Sequence, residues 1–229
     1  MGGRDGTVGS VDAREIDDCV TGCAAAHQRL LGEIDGRLER GTLDTRAPSR
    51  LPDWTVGHVL AHLIGNAGAF SRLFEAAGRG EVGVMYPGGS EGRRAEIETR
   101  SAGSAEQLVA EVRRTVWALE AAWSTCTAQG WQGRARPFVG DFPMAEVPLR
   151  RWREVEVHHT DLGWGYEADG WDPHYVRRDL VVQEAAWLAA HPEAGGHVPA
   201  AAMDLLPGQR LAWLLGRTRP HGLPPVTWP

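Results

Sequence analysis

Apolar residues recur along this chain at intervals of three and four, and that spacing predicts helices. A first helix is expected from about Val11 to Arg40, a stretch rich in Ala, Leu and Glu. Turn-forming residues follow from Gly41 to Pro52. A second helix should start near Asp53, read as its N-cap, and run to about Ala77. Residues 79–103 are Gly-rich and mixed, and are expected to be irregular. Ser104-Ala-Glu-Gln107 has the capping-box pattern, so a third helix should run from it to about Thr127. Residues 128–146 suggest loop or short extended structure. Pro148 suits the first turn of a fourth helix reaching about Leu162, with Gly163 and Gly165 as stops. Pro173 opens a fifth helix, to about Ala190. The tail is Pro/Gly-rich and holds one short helical stretch near Gln209–Gly216.

No strand–helix alternation and no internal repeat is visible. The expected fold is therefore mainly α, a four-helix bundle with a short, mixed C-terminal extension. The expected organisation is a disordered N-terminus over 1–10, a helical bundle with its site over 11–190, and the extension over 191–229.

The helical wheels carry the chemistry. With Glu154 at zero, His158 falls at about 40°, Asp161 at about -20° and Val147 at about 20°. Glu154 and His158 thus share an arc bordered by Val155, Val157 and Leu162, while Trp152, Glu156 and His159 lie on the far side. A carboxylate on an apolar face is costly unless it is paired or binds a metal. On the second helix, His62 sits on a stripe with Val59, Asn66, Ala69, Phe70 and Leu73. Together the two helices offer His plus Glu-x-x-x-His. Three such ligands with a fourth position open is a common catalytic zinc arrangement. A lone core histidine and a surface Glu/His pair are the plainer readings of the same residues.

Other constellations compete. Cys19, Cys23 and His27 share a face of the first helix as a possible soft-ligand site, or as a seam of small buried residues. Gly88-Gly-Ser-Glu-Gly92 has the nucleophile-elbow pattern, without the βαβ alternation that motif needs. His58 precedes His62 by four residues and is geometrically able to ligate. A closed, non-catalytic metal or thiol-binding module is a further reading.

Composition narrows the classes. The chain has 229 residues and a net charge of -6, with no apolar run near the ~20 residues of a membrane span. A weakly acidic chain gives no electrostatic reason to hold nucleic acid or an anionic membrane. Three cysteines, and an N-terminus without a basic and apolar leader, point to a reduced, cytoplasmic protein.

Residues 54–66, WTVGHVLAHLIGN, and 153–163, REVEVHHTDLG, resemble the two metal-binding signatures of the mycothiol-dependent maleylpyruvate isomerases, members of the wider DinB-like metalloenzymes. The segment MYPGGSEGRRAEIE (85–98) resembles that family's intervening loop, and LLGR (214–217) its C-terminus. The resemblance implies a DinB-like four-helix bundle with His62, Glu154 and His158 holding Zn2+ or another divalent transition metal. It implies mycothiol, a low-molecular-weight thiol, as cosubstrate, and Arg93 and Arg217 as active-site arginines that anchor a diacid. The implied activity is cis–trans isomerisation by reversible thiolate addition. The same apparatus also serves thiol S-transfer to a small electrophile. The family's fuller C-terminal α/β domain is not apparent in 191–229, which looks short and poor in strands. Asp161 or Asn66 is expected to orient a metal ligand from behind.

Overall fold

The computed structural model describes residues 13–136 and 141–227. Four long helices form the bundle: α1 (Ala13–Glu39), α2 (Val56–Gly78), α4 (Ala105–Thr125) and α6 (Val147–Asp161). α2 packs against α4 and α6, and α1 against α6 and α4. The shorter helix α3 (Gly89–Ser101) lies along α2, and α7 (Pro173–Ala190) lies beside α6 and α1. Residues 1–10 lie outside the described residues. Among those described, no helix is long and apolar enough to cross a membrane.

α2 is the most apolar helix and is buried almost throughout, from Val56 to Ala77. Its start differs from expectation. Asp53 has φ +64° and sits in the preceding turn. Thr55 is the N-cap, and it forms a capping box with His58. The capping box at Ser104 and Gln107 forms as its pattern suggests, and Gly163 and Gly165 stop α6 with φ of +75° and +96°.

α3 occupies a stretch expected to be irregular. It is a charged helix that buries little beyond Ile97 and Ser101, so it shows almost no apolar period. Contact with α2 and an Arg100–Glu96 pair one turn apart hold it. A small sheet closes one end of the bundle. β1 (Gly83–Val84) runs parallel to β2 (Arg134–Arg136), which pairs antiparallel with β3 (Phe142–Pro143). A single helical turn, α5 (Ala128–Trp131), precedes β2. In the tail, α8 (Ala200–Met203) and α9 (Pro207–Leu214) fold back so that α9 rests on α7. Trp213 packs there, 5.8 Å from Trp187, and donates its indole N–H to the Pro224 carbonyl.

α6 also departs from the wheel. Trp152, Glu156 and His159, expected on the far side, are all buried. α1 and α7 cover that side, so the helix has no fully wet face. Its charges are therefore paired. Glu156 accepts from Arg29 at 2.6 Å, from the Trp152 indole at 3.0 Å and from the Tyr166 hydroxyl at 2.5 Å. His159 meets Glu33 at 2.7 Å. Arg153 donates to Asp179, itself fully buried, at 2.8 Å.

The α1–α6 contact depends on a glycine. A Cβ at Gly22 would lie 2.0 Å from the Trp152 ring, which is 1% exposed. Gly22→Ala is therefore expected to destabilise the fold by about 1–3 kcal/mol through overpacking, whatever helix propensity it gains. Urea unfolding of the two proteins measures this, and an unchanged midpoint would mean that the ring yields at no cost.

Candidate metal centre

α2 and α6 bring three donors together. His62 Nε2 lies 2.7 Å from Glu154 Oε2, and His158 Nε2 lies 3.3 Å from the same oxygen. The two imidazoles meet edge to face with centroids 4.5 Å apart. One atom from each residue falls within 4.8 Å of the others. The i, i+4 spacing on α6 places Glu154 and His158 one turn apart, and the buried stripe of α2 aims His62 at them. Two imidazoles and a carboxylate suit zinc, and equally nickel, cobalt or iron.

Each histidine is held from behind, by opposite chemistry. His158 Nδ1 lies 2.8 Å from Asp161 Oδ2. Asp161 is gripped in turn by Arg217, through Nε to Oδ1 at 3.0 Å and Nη2 to Oδ2 at 2.8 Å. Arg217 Nη1 donates to the Leu215 carbonyl. His62 Nδ1 instead faces a cation, accepting from Arg93 Nη2 at 3.0 Å. Of the two expected orienting residues, Asp161 touches a donor histidine, whereas Asn66 Oδ1 accepts from Arg151 at 2.8 Å.

The electrostatics suit a cation site. Burial alone would raise the Glu154 pKa, but the bonds from His158 and His62 outweigh it and hold the carboxyl well below its ordinary range. Burial, with His158 alongside, lowers the His62 pKa to about 4, so this ring is neutral near pH 7. Burial opposes charge on His158 as well, yet Asp161 and Glu154 carry its pKa up. The Asp161 carboxyl stays low despite burial, because His158 and Arg217 face it. A metal needs a carboxylate and neutral imidazoles, and the depressed Glu154 carboxyl and neutral His62 already meet that need.

The donors open onto a cavity of about 210 Å³. Leu51 and Trp54 form its apolar wall, and Arg93 and Arg217 reach it beside the donors. The Trp54 ring is 5.9 Å from that of His62. Trp54 stands inside the 54–66 signature and yet was not singled out. Tyr86, partnered with Arg93 and Asn66, was also missed, and proximity to Arg93 in sequence was the available signal.

The rival constellations do not assemble. His58 is the capping-box partner of Thr55, at 2.8 Å, and its other nitrogen faces Glu98 at 3.4 Å. His27 spends one nitrogen on Glu120 and the other on Arg151. Burial pushes the Cys23 thiol far up, away from the thiolate a metal needs. Among the described residues, His62, Glu154 and His158 form the cluster fit to hold a metal, and Cys19, Cys23 and His27 form none. Ser90 lies in the first turn of α3, and the small sheet pairs β1, β2 and β3 without the βαβ setting of a nucleophile elbow.

A mainly α, DinB-like bundle closed around a His/Glu/His cluster defines the class of this molecule. Residues 24–163 match the family described as the mycothiol maleylpyruvate isomerase N-terminal domain, and the chain belongs to that family. Two solved structures are similar to it: the crystal structure of the mycothiol-dependent maleylpyruvate isomerase and that of a histidine-to-alanine mutant of the same enzyme. Each is 20% identical, with a TM-score of 0.75 and coverage of 89% of this chain and 90% of its own. That likeness is one of fold, and it joins chains of similar extent. No curated protein matches the chain.

Asp161 is expected to tune the centre through His158. Replacing a carboxylate behind a metal-bound histidine typically costs 10–100-fold in metal affinity. Asp161→Asn should weaken zinc binding by about that factor with the helical circular dichroism retained. Zinc competition with a chromophoric chelator reads it, and unchanged affinity would remove Asp161 from the site.

Proposed function

We propose that this protein is a metal- and thiol-dependent enzyme that isomerises a small cis-unsaturated diacid of the maleylpyruvate type, with mycothiol as cosubstrate. The observation that carries the reading is the His62/Glu154/His158 cluster opening, beside Arg93, onto one small cavity in a chain of this family. About 210 Å³ is room for a small organic acid and the sulfur end of a thiol, and falls below the usual range for larger ligands.

His62, Glu154 and His158 would hold the metal. Bound there, a divalent zinc-like ion supplies stabilisation of a thiolate near neutral pH. The thiolate sulfur adds to one carbon of the cis double bond, and the electron pair moves into the conjugated carbonyl. The remaining single bond rotates, and expulsion of the thiolate restores the double bond in the trans form. Atoms and charge balance without any other reactant.

The protein's own residues set the geometry. Arg93 offers paired N–H groups to a carboxylate. Asp161 fixes the ring orientation of His158, and Arg217 fixes Asp161. Leu51 and Trp54 would give the reacting bond an apolar wall.

A second reading has a specific observation behind it. Arg217 is engaged with Asp161 and the Leu215 carbonyl, and so acts as a positioning residue. Arg93 is then the guanidinium left to meet a carboxylate, which also suits thiol S-transfer to a monoacid or neutral electrophile. Assay of maleylpyruvate against a panel of electrophiles, each with mycothiol, separates the two.

The leading test uses cobalt-substituted protein titrated with mycothiol. A thiolate-to-cobalt charge-transfer band should appear in the wild type and be absent in His62→Ala and Glu154→Ala, each of which should lose most metal binding. Cobalt that binds but ignores thiol would sink the thiol mechanism and leave a hydrolytic or structural metal role.

A further inference from the structure

We infer that Arg93 and the metal compete for the same histidine, so that the Arg93 guanidinium becomes available to a carboxylate only once the metal is in place. The inference rests on the metal-binding reading above and deepens it.

An arginine can only donate hydrogen bonds. The 3.0 Å contact from Arg93 Nη2 to His62 Nδ1 therefore requires that nitrogen to be bare. The single proton of the neutral ring then sits on Nε2, where Glu154 Oε2 accepts it at 2.7 Å. Both ends of the ring are satisfied, and His62 is 3% exposed. This is a self-consistent arrangement for the metal-free protein.

A metal at Nε2 takes the lone pair of that nitrogen. The neutral ring must then carry its proton on Nδ1. Two N–H groups now point at each other across the Arg93–His62 contact, and attraction turns to repulsion. The guanidinium has somewhere to go. It already borders the cavity, and its Cζ lies 5.7 Å from the centre of the Tyr86 ring, which can keep it near the opening. Turned into the cavity, it presents its fork to a carboxylate.

His158 provides the contrast. Its Nδ1 faces the Asp161 carboxylate, an acceptor, which is the partner a metal-bound ring needs. One histidine is set for metal in advance, and the other is released for it. The order of assembly follows: metal first, then the acid. By linkage, an acid that draws Arg93 away also tightens the hold on the metal.

The test measures zinc affinity by chelator competition in the wild type, Arg93→Met and Arg93→Gln, with 15N spectra of the ring nitrogens of His62. Arg93→Met should bind zinc about tenfold more tightly, the scale of one lost charge-assisted bond in the metal-free state. Arg93→Gln should do so as well, since its amide oxygen can accept from Nδ1–H. In the wild type the ring proton should sit on Nε2 without zinc and on Nδ1 with it. If the wild type holds zinc but neither variant binds it more tightly, or if the proton already sits on Nδ1 in the metal-free protein, the competition is overturned and the metal reading stands. If the wild type holds no more zinc than Glu154→Ala, the metal reading falls and takes this inference with it.

Discussion

A carboxylate held inside a helical bundle is the constraint on which this structure depends. Glu154 sits between two imidazoles, its charge form kept by their bonds against the cost of burial. Glu154 is part-buried, so stripping it of its partners costs less than the several kcal/mol of a fully buried ion, yet still a notable part of the stability of a domain this size. Two helices must therefore keep His62 and His158 in place. The capping box that starts α2 and the glycine stop that ends α6 fix where those helices begin and end. Local backbone chemistry thus reaches the site through helix register.

α6 repeats the same problem along its whole length. Its sequence is polar, yet Arg151, Arg153, Glu156, His158, His159 and Asp161 are all buried. Their partners come from several parts of the chain: His27, Arg29 and Glu33 from α1, Asn66 from α2, Tyr166 from the following loop, Asp179 from α7 and Arg217 from the tail, while His158 pairs with Asp161 within α6. The tail is therefore no appendage to the site. It supplies the guanidinium that steadies the acid behind His158, from 56 positions further along the chain. The site is built on helices, and the polar network around them restricts how far they can slide.

The donor triad was legible because it is local. The wheels put Glu154 and His158 one turn apart and His62 on the most apolar helix, the resemblance singled them out over the plainer readings, and the structure brings the three donors together. What the wheel misjudged has a single physical cause: it assumes one dry face and one wet face. α6 has no wet face, so Glu156 and His159 were assigned outward. α3 has almost no dry face, so its helix left no apolar period to read. Asp53 has the right chemistry for an N-cap, but its positive φ places it in the turn, and Thr55 with His58 does the capping. The Arg217–Asp161 contact was out of reach for any local pattern, because tertiary packing alone creates it.

The two histidines of the centre are chemically unequal, though a ligand list would write them alike. An anion behind His158 makes its ring more basic and holds its Nδ1 proton in place, so this residue is the firm ligand. A cation behind His62 makes its ring less basic and favours the opposite tautomer, so this residue is the yielding one. In the proposed metal centre this asymmetry would let one side hold the ion while the other senses an anionic ligand. On the proposed reading His158 would fix the position of the metal, through a chain of bonds running from α6 to the tail. His62 would couple that metal to Arg93, a guanidinium that borders the cavity and meets the ring nitrogen. Charge complementarity then arises in sequence: the carboxylates Glu154 and Asp161 prepare the site for a cation, and the cation prepares it for an anion.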